Sequence, residues 1–351
     1  MVAAATLLFS LCTTLSRLNL VSAAIQLSAQ QLAAQYSLTT STAFPFPTAT
    51  QSTGDTQSLI TSKWSLAKGR IQDGPNNLDF VSDPFPNAPP PTGIPSNNST
   101  GPVLRVTYPS GSFSHDTGGA QLINLWNTSD GTSFGSMIIS YEVAFDSGFN
   151  WVKGGKLPGL RGGLDTTGCS GGSQANGQTC FSSRVMWRKS GDGEVYAYIP
   201  TPNHLCTDSN IICNPDFGTS ISRNSFGFES ARWNRITMLV QMNDPPNVAN
   251  GNVRLFFNDI QALSTGDLQF RSASSLSING MYFSTFFGGD DPSWATPQTT
   301  HTYFRNLQLW AGSAPSNLTG SLVKSAASSQ TLGYGGLSGI AAFTLFTVYL
   351  L

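Results

Sequence analysis

Apolar and polar positions exchange with a period of two in several short stretches in the middle of this chain. The run Met137-Ile138-Ile139-Ser140-Tyr141-Glu142-Val143-Ala144-Phe145 alternates at its later end. Val195 to Ile199, Arg235 to Val240, Val253 to Phe257, Ser277 to Phe283 and Tyr303 to Trp310 are also rich in β-branched and aromatic residues, with Gly, Asn, Asp and Pro at their borders. That pattern predicts strands between turns. Residues 181–188 read the same way. On a strand, Phe181, Ser183, Val185 and Trp187 share one face, and Ser182, Arg184, Met186 and Arg188 share the other. The first set suits a core. In the next strand Tyr196 and Tyr198 face one way and Val195, Ala197 and Ile199 the other. A hairpin around Gly191-Asp192-Gly193 would join the two polar sides into one surface of Ser, Arg and Tyr. No long stretch shows a helical period with caps. Many short strands divided by turns predict an all-β sandwich or jelly roll.

The flanks read differently. Residues 1–23 hold an apolar stretch from Val2 to Cys12 followed by Val21-Ser22-Ala23, the pattern of a signal peptide. Residues 24–58 are rich in Ser, Thr, Gln and Ala without a clear period and read as a linker or arm. Trp64 to Val81 is a candidate first edge strand. Six prolines between 84 and 95 prevent a regular ladder there. The globular part is expected over 59–312. Residues 313–336 form a small-residue spacer that includes Ser325-Ala326-Ala327-Ser328-Ser329, and 337–351 are apolar apart from Ser338, Thr344 and Thr347. Small residues, spacer and terminal apolar tail match a GPI-anchor signal, and the tail is short for a span of about 20 residues. A secreted, surface-anchored monomer is the expectation.

Composition narrows the function. The net charge is -1 and charged residues make up only 11%. Nucleic-acid binding, which needs a basic excess, is disfavoured. Of the five cysteines, Cys12 lies in the leader, and Cys169, Cys180, Cys206 and Cys213 remain. Four allow three connectivities. The sequence-local choice is Cys169–Cys180 with Cys206–Cys213, in an oxidising compartment. The spacing fits no zinc pattern. Glycosylation sequons start at Asn97, Asn98, Asn127 and Asn317.

Charge is unevenly spread. Six of the 18 Lys+Arg fall between 153 and 189, namely Lys153, Lys156, Arg161, Arg184, Arg188 and Lys189, with Asp165 the one acid there. A polyanionic ligand is the natural inference. Other enzyme chemistries fit poorly. A glycosidase needs two placed carboxylates, and the one close pair, Asp192 and Glu194, is expected to be exposed in or beside a turn. Of the three His, 115, 204 and 301, none accompanies a nucleophile-elbow motif. No motif calls for a metal or cofactor. Lys, Arg, Tyr and Ser on one basic face suit β-elimination on a uronic-acid polymer. Cations offset the carboxylate beside the acidic C5 proton, and phenols move protons.

These segments resemble a known family. Lys153-Gly154-Gly155-Lys156-Leu157-Pro158-Gly159-Leu160, Cys169-Ser170-Gly171-Gly172, Cys180-Phe181-Ser182-Ser183-Arg184-Val185-Met186-Trp187-Arg188, Tyr196-Ala197-Tyr198 and Phe283-Ser284-Thr285-Phe286-Phe287-Gly288-Gly289 look like polysaccharide lyase family 14, which includes alginate and glucuronan lyases. The resemblance covers about 60 to 312. It implies a β-jelly roll with a concave basic cleft and a β-1,4-polyuronate substrate. It also implies catalytic Lys156, Ser182, Arg184, Tyr196 and Tyr198, with Lys156 taken over Lys153 because it abuts Leu-Pro-Gly. Tyr196 or Tyr198 would act as base and acid, Lys156 and Arg184 would neutralise the carboxylate, and Ser182 would position it. Lys153, Arg161 and Arg188 would add substrate contacts. A non-catalytic surface binder of acidic carbohydrate and a structural wall protein are the rival expectations.

Overall fold

The computed structural model describes residues 25–94, 101–127, 131–202 and 205–323. The expected leader, the apolar tail, Asn97, Asn98 and His204 lie outside the described residues. The strands are β1 Thr40–Ala43, β2 Leu78–Val81, β3 Val103–Tyr108, β4 Ala120–Ile123, β5 Ser136–Phe145, β6 Gly154–Gly162, β7 Phe181–Arg188, β8 Asp192–Tyr198 and β9 Ile211–Ile212. They continue with β10 Thr219–Gly227, β11 Trp233–Gln241, β12 Val248–Ala249, β13 Gly251–Phe257, β14 Ile260–Leu268, β15 Ile278–Phe287, β16 Thr300–Gly312 and β17 Ser321–Leu322. Among the described residues, one sheet has eight strands in the order β14-β13-β11-β5-β16-β3-β2, with β1 also paired to β16. The other has seven, in the order β4-β15-β6-β7-β8-β10-β9. The pairings are antiparallel, and the two sheets stack as a jelly-roll sandwich.

The alternation on β7 and β8 is what joins the sheets. Phe181, Val185, Trp187, Val195, Ala197 and Ile199 enter one apolar cluster with Met137, Ile139, Tyr141, Val143 and Phe145 of β5. Trp187 meets the rings of Tyr108, Phe145, Phe149 and Phe287 at 5.4–6.3 Å. The polar faces of β7 and β8 are thereby turned outward.

Several expectations are corrected. Residues 25–58 are not a linker. Helix α1 (Ala29–Gln35) starts at Ser28, whose side chain and Gln31 form a capping box. It seats Leu32 and Ala33 on Ile138, Leu239 and Phe256, the outer face of the eight-stranded sheet. Helix α2 (Thr53–Lys63) is capped by Ser52 and buries only Thr56 and Ile60, so no apolar stripe announced it. The Thr56 hydroxyl accepts the Phe80 backbone N–H at 3.1 Å, and Trp64 closes the helix inside the core. The edge strand expected over 64–81 is confined to β2. The spacer expected from 313 also begins within the fold, because β17 pairs with β12. The sheet covering explains why β5 does not alternate throughout. All its residues are buried, with Ile138 under α1 and its neighbours in the sandwich core.

Candidate active site

The outer face of the seven-stranded sheet carries the sequence-predicted residues in rows set by strand register. Lys156 pairs with Met186, and Met186 with Glu194. Arg184 pairs with Tyr196, Tyr196 with Ser220, and Ser220 with Ile212. Arg161 pairs with Ser182, and Ser182 with Tyr198. Strict alternation would put Lys156 and Arg161 on opposite faces, because their spacing is odd. A register shift between Leu157 and Gly159 restores both to the outer face while Leu157 and Leu160 stay in the core. Gly159 makes this possible: a Cβ there would lie 2.1 Å from the Ser183 carbonyl oxygen.

Above these rows lies a cleft of about 280 Å³, lined in part by Lys156, Arg184, Arg188, Tyr196, Tyr198 and Arg223. Lys156 is buried. Its Nζ lies 3.1 Å from Met186 Sδ and 3.9 Å above the centre of the Tyr196 ring. Burial, reinforced by Arg184 and Arg188 and opposed by Glu194, holds its amine well below the ordinary lysine value. Arg184 is 1% exposed. It donates from Nη1 to Ser284 Oγ at 3.0 Å, and its guanidinium faces the Tyr282 ring at 4.7 Å and the Tyr198 ring at 5.8 Å. Among the described residues it has no carboxylate partner, and its Nε has no hydrogen-bond acceptor.

Both phenols are held by backbone. The Tyr196 hydroxyl accepts the Gly218 N–H at 3.0 Å, and the Tyr198 hydroxyl accepts the Gly172 N–H at 3.1 Å. Each phenol therefore keeps its own proton free to donate. Burial first, then the neighbouring Tyr198, pushes the Tyr196 phenol up to about 12. The loops that supply these amides adjoin the disulfides Cys169–Cys180 and Cys206–Cys213.

Three predicted residues do not line the cleft. Ser182 is buried beneath the cleft and donates to the Cys169 carbonyl oxygen at 2.6 Å, so it secures the disulfide loop. Arg161 is spent on Asn279 Oδ1 at 2.6 Å and on the carbonyl oxygens of Gly163 and Asp165 at 2.9 and 2.7 Å. Lys153 is exposed at the rim, bonded to the Ser293 hydroxyl, with its Nζ 5.7 Å from the centre of the Trp294 ring.

Two residues were misjudged or missed. Glu194 was expected to be exposed, yet its side chain is 0% exposed. The turn closes earlier, over Lys189–Gly191, so β8 starts at Asp192 and carries Glu194 onto the tyrosine face. Its carboxylate accepts Arg188 Nε at 2.8 Å, Arg223 Nε at 2.9 Å and the Ser220 hydroxyl. The spacing Glu194-x-Tyr196-x-Tyr198 was the available signal. His115 lines the cleft and pairs with Asp73, Nδ1 to Oδ2 3.2 Å. Asp73 also accepts Gln121 Nε2 at 2.7 Å, and Gln121 Oε1 accepts from Ser284, the partner of Arg184. The long separations in sequence left no signal for that chain. The carboxylate of Glu142 sits on the other sheet, bonded to Arg235 and Arg305. No group of three or more His, Cys, Asp or Glu among the described residues could hold a metal ion.

The model of the family Polysaccharide lyase 14 matches residues 96–307. The alginate lyase of that family from Aplysia kurodai is 33% identical, with a TM-score of 0.59 over 68% of this chain and 88% of that one. An alginate lyase from a Chlorella virus shares the fold at 22% identity, with a TM-score of 0.51 over 62% of this chain and 88% of that one. No curated protein matches the chain. Because the family match spans the greater part of the chain and carries the β6, β7 and β8 rows with it, the chain belongs to polysaccharide lyase family 14 and is a polysaccharide lyase.

Proposed function

We propose that the enzyme cleaves a β-1,4-linked polyuronate, glucuronan or alginate, by β-elimination and leaves 4,5-unsaturated uronate ends. One observation carries this reading: a buried guanidinium without a counter-ion, Arg184, stands beside a buried amine held toward its neutral form, Lys156. Arg184 supplies the charge that a uronate carboxylate requires. Neutral Lys156 can accept a proton, which a lysine at its ordinary value cannot do near neutral pH.

The uronate carboxylate pairs with Arg184, which stabilises the enolate-like charge that develops when C5 loses its proton. Lys156 Nζ takes that proton. The C5–H electron pair forms the C4–C5 double bond as the C4–O4 bond breaks. A phenol of the Tyr196–Tyr198 pair donates its proton to the departing O4. The lysine thus moves from the neutralising role implied by resemblance to that of the base, and the tyrosines serve as acids. Two disulfides and the exposed sequon residues Asn127 and Asn317 support export to an oxidising compartment; anchoring at the outer surface through the C-terminal signal is part of this proposal.

The decisive measurement is ultraviolet absorbance of the purified protein with glucuronan and with alginate. A rise on one polymer, lost in Lys156→Ala and in Arg184→Ala, is the expected result and identifies the substrate. Reducing ends appearing without absorbance would mean hydrolysis and would defeat the proposal, as would unaltered turnover in Arg184→Ala.

A further inference from the structure

The cleft runs from β4, β15 and Trp294 at one end to β9 and β10 at the other. We infer that Phe217, Ile212 and Arg223 on the second wall form a distal subsite for a further uronosyl unit of the same polymer. This rests on the polyuronate reading above.

Single exposed apolar side chains are ordinary on protein surfaces. These two differ in position and in rigidity. Ile212 is 48% exposed and Phe217 37% exposed, and both line the cleft. Ile212 lies opposite Ser220, in the row that runs through Tyr196 to Arg184. Strands are spaced about 4.8 Å apart, so three steps put Ile212 roughly 14 Å from Arg184, beyond the sugar whose carboxylate Arg184 holds.

The backbone of Phe217 is tied down on both sides. Its N–H donates to Asn214 Oδ1 at 3.0 Å, and its carbonyl oxygen accepts Gln174 Nε2 at 2.8 Å. Gln174 Nε2 also reaches the Pro215 carbonyl oxygen at 3.2 Å, which ties this wall to the Cys169–Cys180 loop. The Cys206–Cys213 disulfide closes the segment just before Asn214. The next residue, Gly218, holds the Tyr196 phenol, so the backbone that carries Phe217 is tied to the reacting groups, and its side chain lines the same cleft. A preformed aromatic surface loses little freedom on binding, and it suits the C–H face of a sugar ring.

Arg223 supplies the matching charge. Its side chain is 38% exposed, and its Nε holds Glu194 at 2.9 Å. Its terminal nitrogens make no hydrogen bond among the described residues. Arg188 and Arg223 share the single carboxylate of Glu194, so the pair keeps an excess positive charge for a substrate carboxylate.

The test is kcat/KM on size-fractionated oligouronates and on polymer, for the wild type, Phe217→Ala, Phe217→Tyr and Ile212→Ser. Melting curves verify that each variant is folded. The wild type should gain kcat/KM with chain length. Phe217→Ala should lose about tenfold on long chains relative to short ones, close to 1.4 kcal/mol. Ile212→Ser should lose the same preference more weakly, and Phe217→Tyr should restore it. Arg223→Gln should reduce the salt dependence of KM on polymer. An unchanged length dependence in both Phe217→Ala and Ile212→Ser, with wild-type activity intact, would overturn the subsite alone. Absence of unsaturated ends from every polyuronate in the wild type would overturn the substrate reading and the subsite together.

Discussion

Lys156 and Tyr196 are displaced from their ordinary ionisation in directions that suit the roles proposed for them. In the proposed reaction Lys156 must be neutral to accept the C5 proton, and it is neutral above its pKa. That pKa is lowered by burial and by two arginines, so the acid limb of the pH–rate profile should fall well below the ordinary lysine value of about 10.4. Tyr196 must be protonated to donate. With its phenol raised to about 12, it stays protonated through the working range and activity should fall only on the far alkaline side. Measured kcat/KM against pH should therefore give a bell. Lys156→Arg, charged at every pH, should lose at least about a hundredfold throughout; survival of the acid limb in that variant would reassign it. Glu194 belongs to the same scale with a structural effect. Removing its carboxylate in Glu194→Ala leaves Arg188 and Arg223 without their common partner. The cost should be about 3 kcal/mol in denaturant unfolding, at the lower end for a buried pair because Arg223 is partly solvated.

At the scale of the element, β7 separates stability from chemistry by alternation alone. Trp187→Ala empties a position among four aromatic rings. It should cost about 3–5 kcal/mol, while Arg184→Ala, three residues away on the opposite face of the same strand, should abolish turnover with a smaller loss of stability. Equal stability losses with equal activity losses would refute the two-face assignment. Strand β6 depends on its bulge. Gly159→Ala drives a Cβ into the Ser183 carbonyl oxygen, so β6 must separate from β7 there. The melting temperature should fall, and the fall should be accompanied by a loss of kcat larger than dilution of the folded state explains, because Lys156 moves with the strand.

For the whole molecule, the segment before residue 64 is a structural lid on the sandwich. Helix α1 covers Ile138, Leu239 and Phe256, and α2 brings Ile60 and Trp64 into the main core. A chain that lacks residues 25–63 should lose cooperative unfolding and aggregate, because the eight-stranded sheet is then apolar on its outer face. A soluble truncated protein with the wild-type melting temperature would show that the lid is dispensable. None of these residues touches the cleft, so a defect in such a chain would be one of folding.

What was legible in the sequence was whatever depends on short range. β-branched and aromatic runs between turn residues specified β5, β8, β11, β13, β15 and β16, and period-two alternation gave the two faces of β7 and β8, with Trp187 inward and Arg184 outward. The local disulfide pairing was legible too, since each closes a short loop. Helix α2 was not, because it buries two residues and shows no stripe; packing against β2 and the core stabilises it instead of its own amphipathicity. Glu194, Ser182 and Arg161 show the other limit. Each lies beside catalytic candidates along the chain, but burial and partner choice decide its role. Arg188 meets Glu194 once β7 and β8 pair and Arg223 once β8 and β10 pair, and Asn279 claims Arg161 only once β6 and β15 are side by side. The face of a strand is a property of its own residues. Which charged group on that face remains free for substrate is a property of everything folded around it.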